Sequence, residues 1–237
     1  KKLAEKYDDY IIEQRRYFHQ NPELSFEEKE TTQALKKQLE DMGIEVTTFD
    51  DYYGLVGMIR GGKKSGKTIM LRADIDALPI EEHADVPFAS KNGKMHACGH
   101  DCHMAMLLGA VKILNEIKDE LDGDVKILFQ SAEESCYGAK YYVEKGILDD
   151  VDAVFGMHIW GTLDAPYFNL EAGGRMASCD NFKITVEGTS AHGSAPHLGH
   201  DAIVAAASMI MNLQTFVSRM NDPLNTLVLL IGTFKGG

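Results

Sequence analysis

Hydrophobic positions recur at helical spacing at the start of the chain, so the sequence predicts two helices before any strand. The first runs to Phe18. In the second, the apolar positions stand three or four residues apart and end before Gly43; they are Leu35, Leu39 and Met42. Ser25 and Glu28 have the spacing of a capping box, so we expect them to cap the start of this second helix.

Short apolar or alternating runs come next, and they predict three strands, at 44–49, 55–59 and 68–73. The last two are separated by Gly61–Gly62 and Ser65–Gly66. Because such glycine pairs favour tight turns, we expect these two strands to form a hairpin.

The middle of the chain alternates helical and extended patterns. An Ala- and Leu-rich run that begins at Asp101 predicts a long buried helix. A strand, a helix and a strand are predicted after it, at 125–130, 138–145 and 153–159. Strands that alternate with helices predict an α/β fold with a mostly parallel, helix-covered sheet.

The pattern restarts after Gly173–Gly174. A strand, a helix and a strand are predicted there, at 182–186, 201–217 and 226–234. This order indicates a second, smaller α/β unit. We therefore expect one domain over residues 1–178 and another over residues 179–237.

Composition narrows the class of protein. The 237 residues carry a formal net charge of −12, which argues against nucleic acid and anionic membrane surfaces as partners. Apolar runs long enough to span a membrane are absent from the sequence, and the start shows no signal peptide. Four cysteines would allow two disulfides, but without a secretion signal we expect reduced thiols and a cytoplasmic location.

Acidic residues and a histidine follow the predicted strands at the point where each strand ends. These residues are Asp74, Asp76, Glu133, Glu134 and His158. Open parallel sheets bind ligands at the carboxyl ends of their strands. The sequence therefore predicts that these side chains share one site.

The stretch MHACGHDCH, at 95–103, concentrates thiols, imidazoles and a carboxylate. These groups are typical ligands of a borderline transition metal. The spacing of Cys98 and His100 suits a loop that wraps around one ion, so both are candidate ligands. The alternative is a buried free cysteine beside a polar loop.

Glu133 and Glu134 follow an apolar strand, where one could bind a metal while its neighbour faces the substrate; the alternative is an exposed loop. His158 has two readings as well, a metal ligand or a histidine satisfied within the core. Asp74 and Asp76 alternate and would share a face, from which they could orient the ligand imidazoles or only form a polar loop.

Other catalytic signatures are absent from the sequence. It contains no G-x-S-x-G, Walker loop, G-x-G-x-x-G or H-E-x-x-H pattern. His192 and His197 lie in GTSAHGSAPH, a loop of the second unit that need not contact a metal. The sequence thus favours a metal-dependent hydrolase over serine hydrolases, kinases and dehydrogenases.

Five motifs occur in order: RADIDALP, MHACGHDCH, FQSAEES, FGMHIW and HGSAPHLGHDAIVAAA. Together they resemble the metal-dependent amidohydrolase and peptidase family of aminoacylase, hippurate hydrolase and the indoleacetyl-amino-acid hydrolases, from about Phe18 onward. The resemblance implies a zinc-peptidase-like catalytic domain with a two-metal site, and an inserted lid domain through which we expect a homodimer.

The resemblance also implies roles for individual residues. It makes Glu133 the general base and His192 a lid histidine that polarises the amide carbonyl. The implied metal ligands are Cys98, His100, Glu134 and His158. We expect four further residues to hold these ligands from behind: Asp74, Asp76, Asp101 and His103. The implied cofactors are two divalent ions, Mn²⁺ or Zn²⁺, with Co²⁺ or Ni²⁺ as alternatives.

The implied activity is hydrolysis of the amide bond of N-acyl amino acids or aryl-amide conjugates. Alternatives on the same scaffold are a dipeptidase, an N-acetyl-diaminopimelate-type deacetylase and a non-catalytic binding protein. Ser131 stands where the family has proline, and Ser135, Cys136 and Tyr137 stand where it has glycines. The family supplies a last histidine ligand after the lid, so we expect an incomplete chain whose fifth ligand lies beyond residue 237.

Overall fold

The computed structural model describes residues 2–237, except for the side chain of Lys64. Its internal contacts divide the chain into two units, one that ends at Ser178 and one over Cys179–Gly237. No helix among the described residues is both long and apolar enough to cross a membrane.

Five α-helices lie in the described part of the first unit. They are α1 (Lys2–Lys6), α2 (Asp8–Gln20), α3 (Lys29–Asp41), α4 (His100–Glu116) and α5 (Gly138–Glu144). The predicted opening helix is thus two helices, α1 and α2. The apolar positions predicted for α3 do face inward, since Leu35 and Leu39 are fully buried.

The first unit contains one sheet of five strands. They are β1 (Glu45–Thr48), β2 (Gly54–Ile59), β3 (Lys63–Asp74), β4 (Asp122–Gln130) and β5 (Ala153–Gly156). Their order across the sheet is β1-β2-β4-β3-β5. Four of the five run in one direction and only β2 opposes them. The predicted α/β fold with a mostly parallel sheet is confirmed.

The predicted hairpin between β2 and β3 is wrong, because β4 lies between these strands. The glycines of the predicted turn instead form hydrogen bonds to the segment before β4 and to the start of β4. The backbone N–H of Gly62 donates to the carbonyl of Lys118 at 2.9 Å, and that of Gly61 donates to the Asp124 carboxylate at 3.0 Å. The connection between β2 and β3 therefore does not form a tight turn, and β4 lies between these two strands.

The predicted capping box is also wrong. Helix α3 begins at Lys29, and the carboxylate that accepts its free N–H groups belongs to Glu23, at 2.7 Å from the N–H of Thr31. A carboxylate from outside the helix satisfies these donors as well as a capping serine would. The side chains of Ser25 and Glu28 are released for contacts elsewhere in the unit.

Alternating side chains of β4 build the two layers of the core. Ile127 and Phe129 are fully buried against α3 and α4, whereas Leu128 points to the opposite face and packs near Tyr142 of α5. A strand that is buried on both faces has a nearly continuous apolar sequence. Helices on both faces hold the sheet rigidly, so the residues at its carboxyl edge are fixed in place.

The second unit contains α6 (Ala202–Thr215), followed by one π-helical turn over Phe216–Met220. The Asp201 carboxylate caps α6 by accepting from the N–H of Val204 at 3.0 Å. The two strands predicted on either side of this helix, 182–186 and 226–234, are wrong: among the described residues neither pairs with a neighbour. An alternating pattern forms a strand only where a partner accepts its backbone hydrogen bonds.

Candidate metal centre

Three strand ends of the first unit meet at one edge of the sheet. Asp74, the last residue of β3, pairs in register with Gln130, the last of β4. Arg72 pairs with Gly156, the last of β5. The residues that follow each strand are therefore neighbours, and they include the paired glutamates and His158.

The start of α4 brings two more candidate ligands to this edge. Gly99 has a left-handed backbone with φ of 86°, and a Cβ there would lie 2.3 Å from the Ile159 side chain. Only glycine fits both conditions without strain. The turn places Cys98 just outside the helix and His100 on its first turn.

His100 is the common member of three groups of possible ligands. In each group the ligand atoms lie within 4.8 Å of one another: Cys98 with His100 and His158, Asp74 with His100 and His103, and His100 with Glu133 and Glu134. The structure thus gathers the four predicted ligands and the predicted general base around one imidazole.

The ring of His100 is fixed by a backbone contact. Its Nδ1 lies 2.8 Å from the carbonyl oxygen of Asp76, which can only accept, so Nδ1 carries the proton. The other nitrogen, Nε2, is left as an acceptor that faces carboxylate oxygens of Glu133 and Glu134, each at 3.8 Å. A ring held in this tautomer is ready to bind a metal ion.

The atoms around His100 fit a cation. Nε2 of His100 and Oε1 of Glu134 are buried, and neither has a hydrogen-bond partner. Buried polar atoms without partners are costly and rare. Metal–nitrogen and metal–oxygen bonds are about 2.0–2.2 Å long, so one divalent ion can reach both atoms.

Cys98 and His158 form the other side of the site, with Sγ 3.3 Å from Nε2 of His158. Burial, and then the Glu134 carboxylate, raises the pKa of the Cys98 thiol to about 12. A thiolate among carboxylates is therefore disfavoured unless a positive charge lies between them. This donor set, with sulfur, nitrogen and oxygen, is one that a divalent transition metal stabilises.

Asp76 connects the two candidate ligands His100 and Glu134. Its Oδ2 accepts from the N–H of Glu134 at 2.9 Å and from Ser25 Oγ at 2.6 Å. Its carbonyl holds His100. Burial acts to raise the pKa of Asp76, but the hydrogen bonds from His100 and Ser25 outweigh it, so the pKa is lowered and the group stays charged.

Asp74 holds His103 and also lies close to the candidate ligand His100, with Oδ2 3.7 Å from Nε2 of His100. Nδ1 of His103 lies 2.6 Å from Asp74 Oδ1, and its Nε2 accepts from the N–H of Ile159 at 3.0 Å. Both ring nitrogens are thus occupied, and the imidazole fixes the segment that carries His158. The pKa of Asp74 is lowered because the contacts with His103, His100 and Arg72 outweigh its burial.

Asp101 points away from the ligands and into a network that the sequence did not reveal. Its Oδ2 lies 2.7 Å from Nδ1 of His19 and 3.0 Å from Nε of Arg15, both on α2. His19 in turn contacts Glu82 at 2.8 Å. Asp101 therefore ties the first turn of α4 to α2, and no pattern in the sequence pairs these residues.

The two glutamates differ in exposure. The side chain of Glu133 is 37% exposed and that of Glu134 is 22% exposed. Burial, and then the charge of Asp74, raises the pKa of Glu133. A more exposed carboxylate with a raised pKa is suited to exchange protons with a substrate.

Sequence reasoning also missed what holds the glutamates. Ala132, just before them, has a left-handed backbone with φ of 57°. Its N–H donates to Oε1 of Glu28 at 2.8 Å, and Glu28 is fully buried. The spacing of Glu28 from Ser25 indicates a helix cap, and the sequence carries no sign of this longer-range contact.

His192 belongs to the second unit, where it is exposed and its Nδ1 lies 2.8 Å from Ser194 Oγ. A role for it in catalysis stays a prediction.

The comparisons with known proteins agree with this chemistry. A family model described as Peptidase family M20/M25/M40 matches residues 70–223. The chain belongs to this family. The match covers all the residues gathered around His100.

Two curated relatives in the M20/M25/M40 family illustrate the similarity. One, an N-acetyl-L-cysteine deacetylase of Bacillus subtilis, is 46% identical over 96% of this chain and 55% of its own length. Another, an N-acyl-L-amino acid amidohydrolase of Geobacillus stearothermophilus, is 41% identical over 100% of this chain and 64% of its own length. The chain spans about half the length of the curated relatives it matches.

Solved structures agree with the family assignment. A putative aminohydrolase from methicillin-resistant Staphylococcus aureus superposes over 100% of this chain and 63% of its own, with a TM-score of 0.77 and 38% identity. A dinuclear metal binding peptidase of Bacillus subtilis from the M20 family covers 67% of this chain and 45% of its own, with a TM-score of 0.64 and 44% identity. Together with the donor set around His100, this supports divalent metal ions as the cofactor.

Proposed function

We propose that the protein is a metal-dependent amidohydrolase that cleaves the amide bond of N-acyl amino acids or related aryl-amide conjugates. The observation that carries this is the pair of buried atoms without hydrogen-bond partners, His100 Nε2 and Glu134 Oε1, which one divalent cation would satisfy together. The similarity to relatives named as amidohydrolase and deacetylase supports the reaction type.

Four side chains would hold two divalent ions, Mn²⁺ or Zn²⁺, with Co²⁺ or Ni²⁺ as alternatives: Cys98, His100, Glu134 and His158. When bound, such ions lower the pKa of water and polarise a carbonyl group. Asp76 keeps His100 in the tautomer that leaves Nε2 free. His103 fixes the backbone next to His158.

Glu133 would move the proton. Its carboxylate accepts a proton from the attacking water while the water oxygen bonds to the amide carbon. The C–N bond then breaks, and the same proton passes from Glu133 to the leaving amine. The raised pKa of Glu133 suits both halves of this transfer.

Three further expectations belong to the proposal. We expect His192 to polarise the amide carbonyl. We also expect two copies of the full-length protein to form a homodimer through residues 179–237, and the protein to be cytoplasmic. Residues 1–178 would then be the catalytic domain and residues 179–237 the lid.

The experiment is an assay of the full-length protein on N-acetyl, N-benzoyl and indoleacetyl amino acids and on dipeptides. We expect turnover of acyl amino acids that a chelator abolishes and added Mn²⁺ or Zn²⁺ restores. Turnover of dipeptides alone would favour a dipeptidase, and turnover of N-acetyl substrates alone a deacetylase. Full turnover after chelation, with no bound metal detected, would refute the proposal.

A further inference from the structure

The turn after β4 is an irregular segment held in an unusual conformation. Ala132 and Cys136 both have left-handed backbones, with φ of 57° and 63°. Residues with a Cβ adopt this region only where surrounding contacts hold them there. Glu133 and Glu134 lie between these two residues, so the conformation of the turn decides where both carboxylates point.

Local contacts hold one side of Ala132. Its carbonyl oxygen accepts from Ser135 Oγ at 2.7 Å and from the N–H of Gly138 at 3.1 Å. Both donors come from the same stretch of chain and move with it. They close the turn but do not attach it to the rest of the unit.

A distant residue holds the other side. The N–H of Ala132 donates to Oε1 of Glu28, which is 104 residues earlier in the chain. Glu28 immediately precedes α3, whose Leu35 and Leu39 are fully buried in the core. Through Glu28, the strained residue is anchored to a packed helix.

Glu28 serves no evident purpose in its own helix. The donors at the start of α3 are taken by Glu23. Glu28 itself is fully buried, and its Oε2 has no hydrogen-bond partner. A buried carboxylate is rare unless it has a specific partner, and the N–H of Ala132 is that partner.

We propose that Glu28 is a positioning residue: by holding the N–H of Ala132, it keeps the turn in the conformation that directs Glu133 and Glu134 toward His100. Glu28 touches none of the ligand atoms. The inference rests on the proposed function for its effect on metal binding, but not for its effect on the turn.

Three variants separate this role from a general loss of stability. Glu28→Met removes the acceptor and nearly keeps the length of the side chain. Glu28→Gln keeps an acceptor oxygen and removes the charge. Glu23→Gln makes the same chemical change in the same loop, but at a residue that caps α3 and does not contact the turn.

Two measurements are made on the full-length protein and each variant: amide hydrogen exchange at Ala132 without metal, and Co²⁺ affinity by absorption titration. In the wild type we expect the Ala132 amide to be protected. Glu28→Met should expose it and weaken Co²⁺ binding by about 10–100-fold, the usual effect of losing a contact behind a ligand. Glu28→Gln and Glu23→Gln should keep both values within about threefold, so that the conservative variant rescues the defect.

The outcomes are distinct. An unprotected Ala132 amide in the wild type, or a folded Glu28→Met with wild-type exchange and Co²⁺ affinity, would overturn the proposal. If Glu28→Met does not fold, Glu28→Gln decides, because a folded Gln variant with about tenfold weaker Co²⁺ affinity contradicts a role for the acceptor atom. A wild type that protects Ala132 but binds no Co²⁺ would refute the proposed function and leave the role of Glu28 in the turn intact.

Discussion

Nε2 of His100 and Oε1 of Glu134 lie 3.8 Å apart, and both atoms are buried without a hydrogen-bond partner. Burial acts to lower the pKa of His100, but the Asp76 hydrogen bond and the nearby carboxylates outweigh it and raise the pKa, so positive charge is favoured at this position. A divalent cation between the two atoms would supply that charge and form a bond to each of them. The pair therefore marks the position of a metal ion more clearly than any of the acidic residues around it.

Cys98 is the first residue to test as a ligand. Cys98→Ser should weaken Co²⁺ or Zn²⁺ binding by at least about tenfold, because a hydroxyl is a much poorer ligand than a thiolate. Binding is measured by titration followed by metal analysis. The matched control is Cys179→Ser, since Cys179 is exposed and lies in the other unit. Equal affinity in the two variants would remove Cys98 from the site.

Asp76 should act through the residues it holds. Asp76→Asn replaces one acceptor oxygen with a donor and disturbs the contacts with Ser25 and Glu134. We expect metal affinity to fall by about 10–100-fold. Asp85→Asn changes an exposed carboxylate in the same way and should leave affinity unchanged. If the Asp76 variant binds metal as the wild type does, the two ligands are held by something else.

Glu28 makes stability depend on pH. Burial raises its pKa in the folded protein from 4.5 to about 7, so folding favours the protonated form. Stability is then fully present below about pH 4.5 and is lost as the pH rises through about 7, with a total loss of about 3 kcal/mol. Glu28→Gln should therefore match the wild type in urea unfolding at pH 4.5 and exceed it at pH 8. A difference that does not change with pH would contradict this account.

His192 tests the predicted role of the second unit. If it polarises the amide carbonyl, His192→Ala should lower kcat by about 10²–10³-fold, as loss of one oxyanion donor typically does, with metal content unchanged. His197→Ala, in the same loop, is the control. A wild-type kcat in the His192 variant would show that this histidine takes no part in the reaction.

The sequence predicted the parts of the fold that depend on local periodicity. Helix α4 and strand β4 are long, apolar and regular, and their positions differ from the prediction by only a few residues at the ends. The position of β4 in the sheet could not be predicted from the sequence, because the pairing of β2 with β4 joins residues that are far apart in the chain. Gly61–Gly62 and Ser65–Gly66 indicated a hairpin between β2 and β3, but these strands are not neighbours in the sheet.

The candidate ligands could be picked out from the sequence because their chemistry is concentrated in short motifs. What holds them could not, because it comes from residues with no local signal. Glu28 looks like part of a helix cap and His19 like an ordinary helical residue, yet they contact Ala132 and Asp101 across the fold. In the second unit the sequence predicted too much. The alternating pattern at 182–186 indicated a strand, but the segment has no pairing partner among the described residues and forms none.

We propose that Glu134 binds metal while its neighbour Glu133 moves the proton. The most direct test is to measure metal content and kcat together in Glu133→Gln and Glu134→Gln of the full-length protein. We predict that Glu133→Gln keeps its metal and loses about 10²–10⁴-fold in kcat, because only the general base is removed. Glu134→Gln should lose metal as well as turnover. A Glu133→Gln variant with near-normal kcat, or one that loses its metal, would contradict the account.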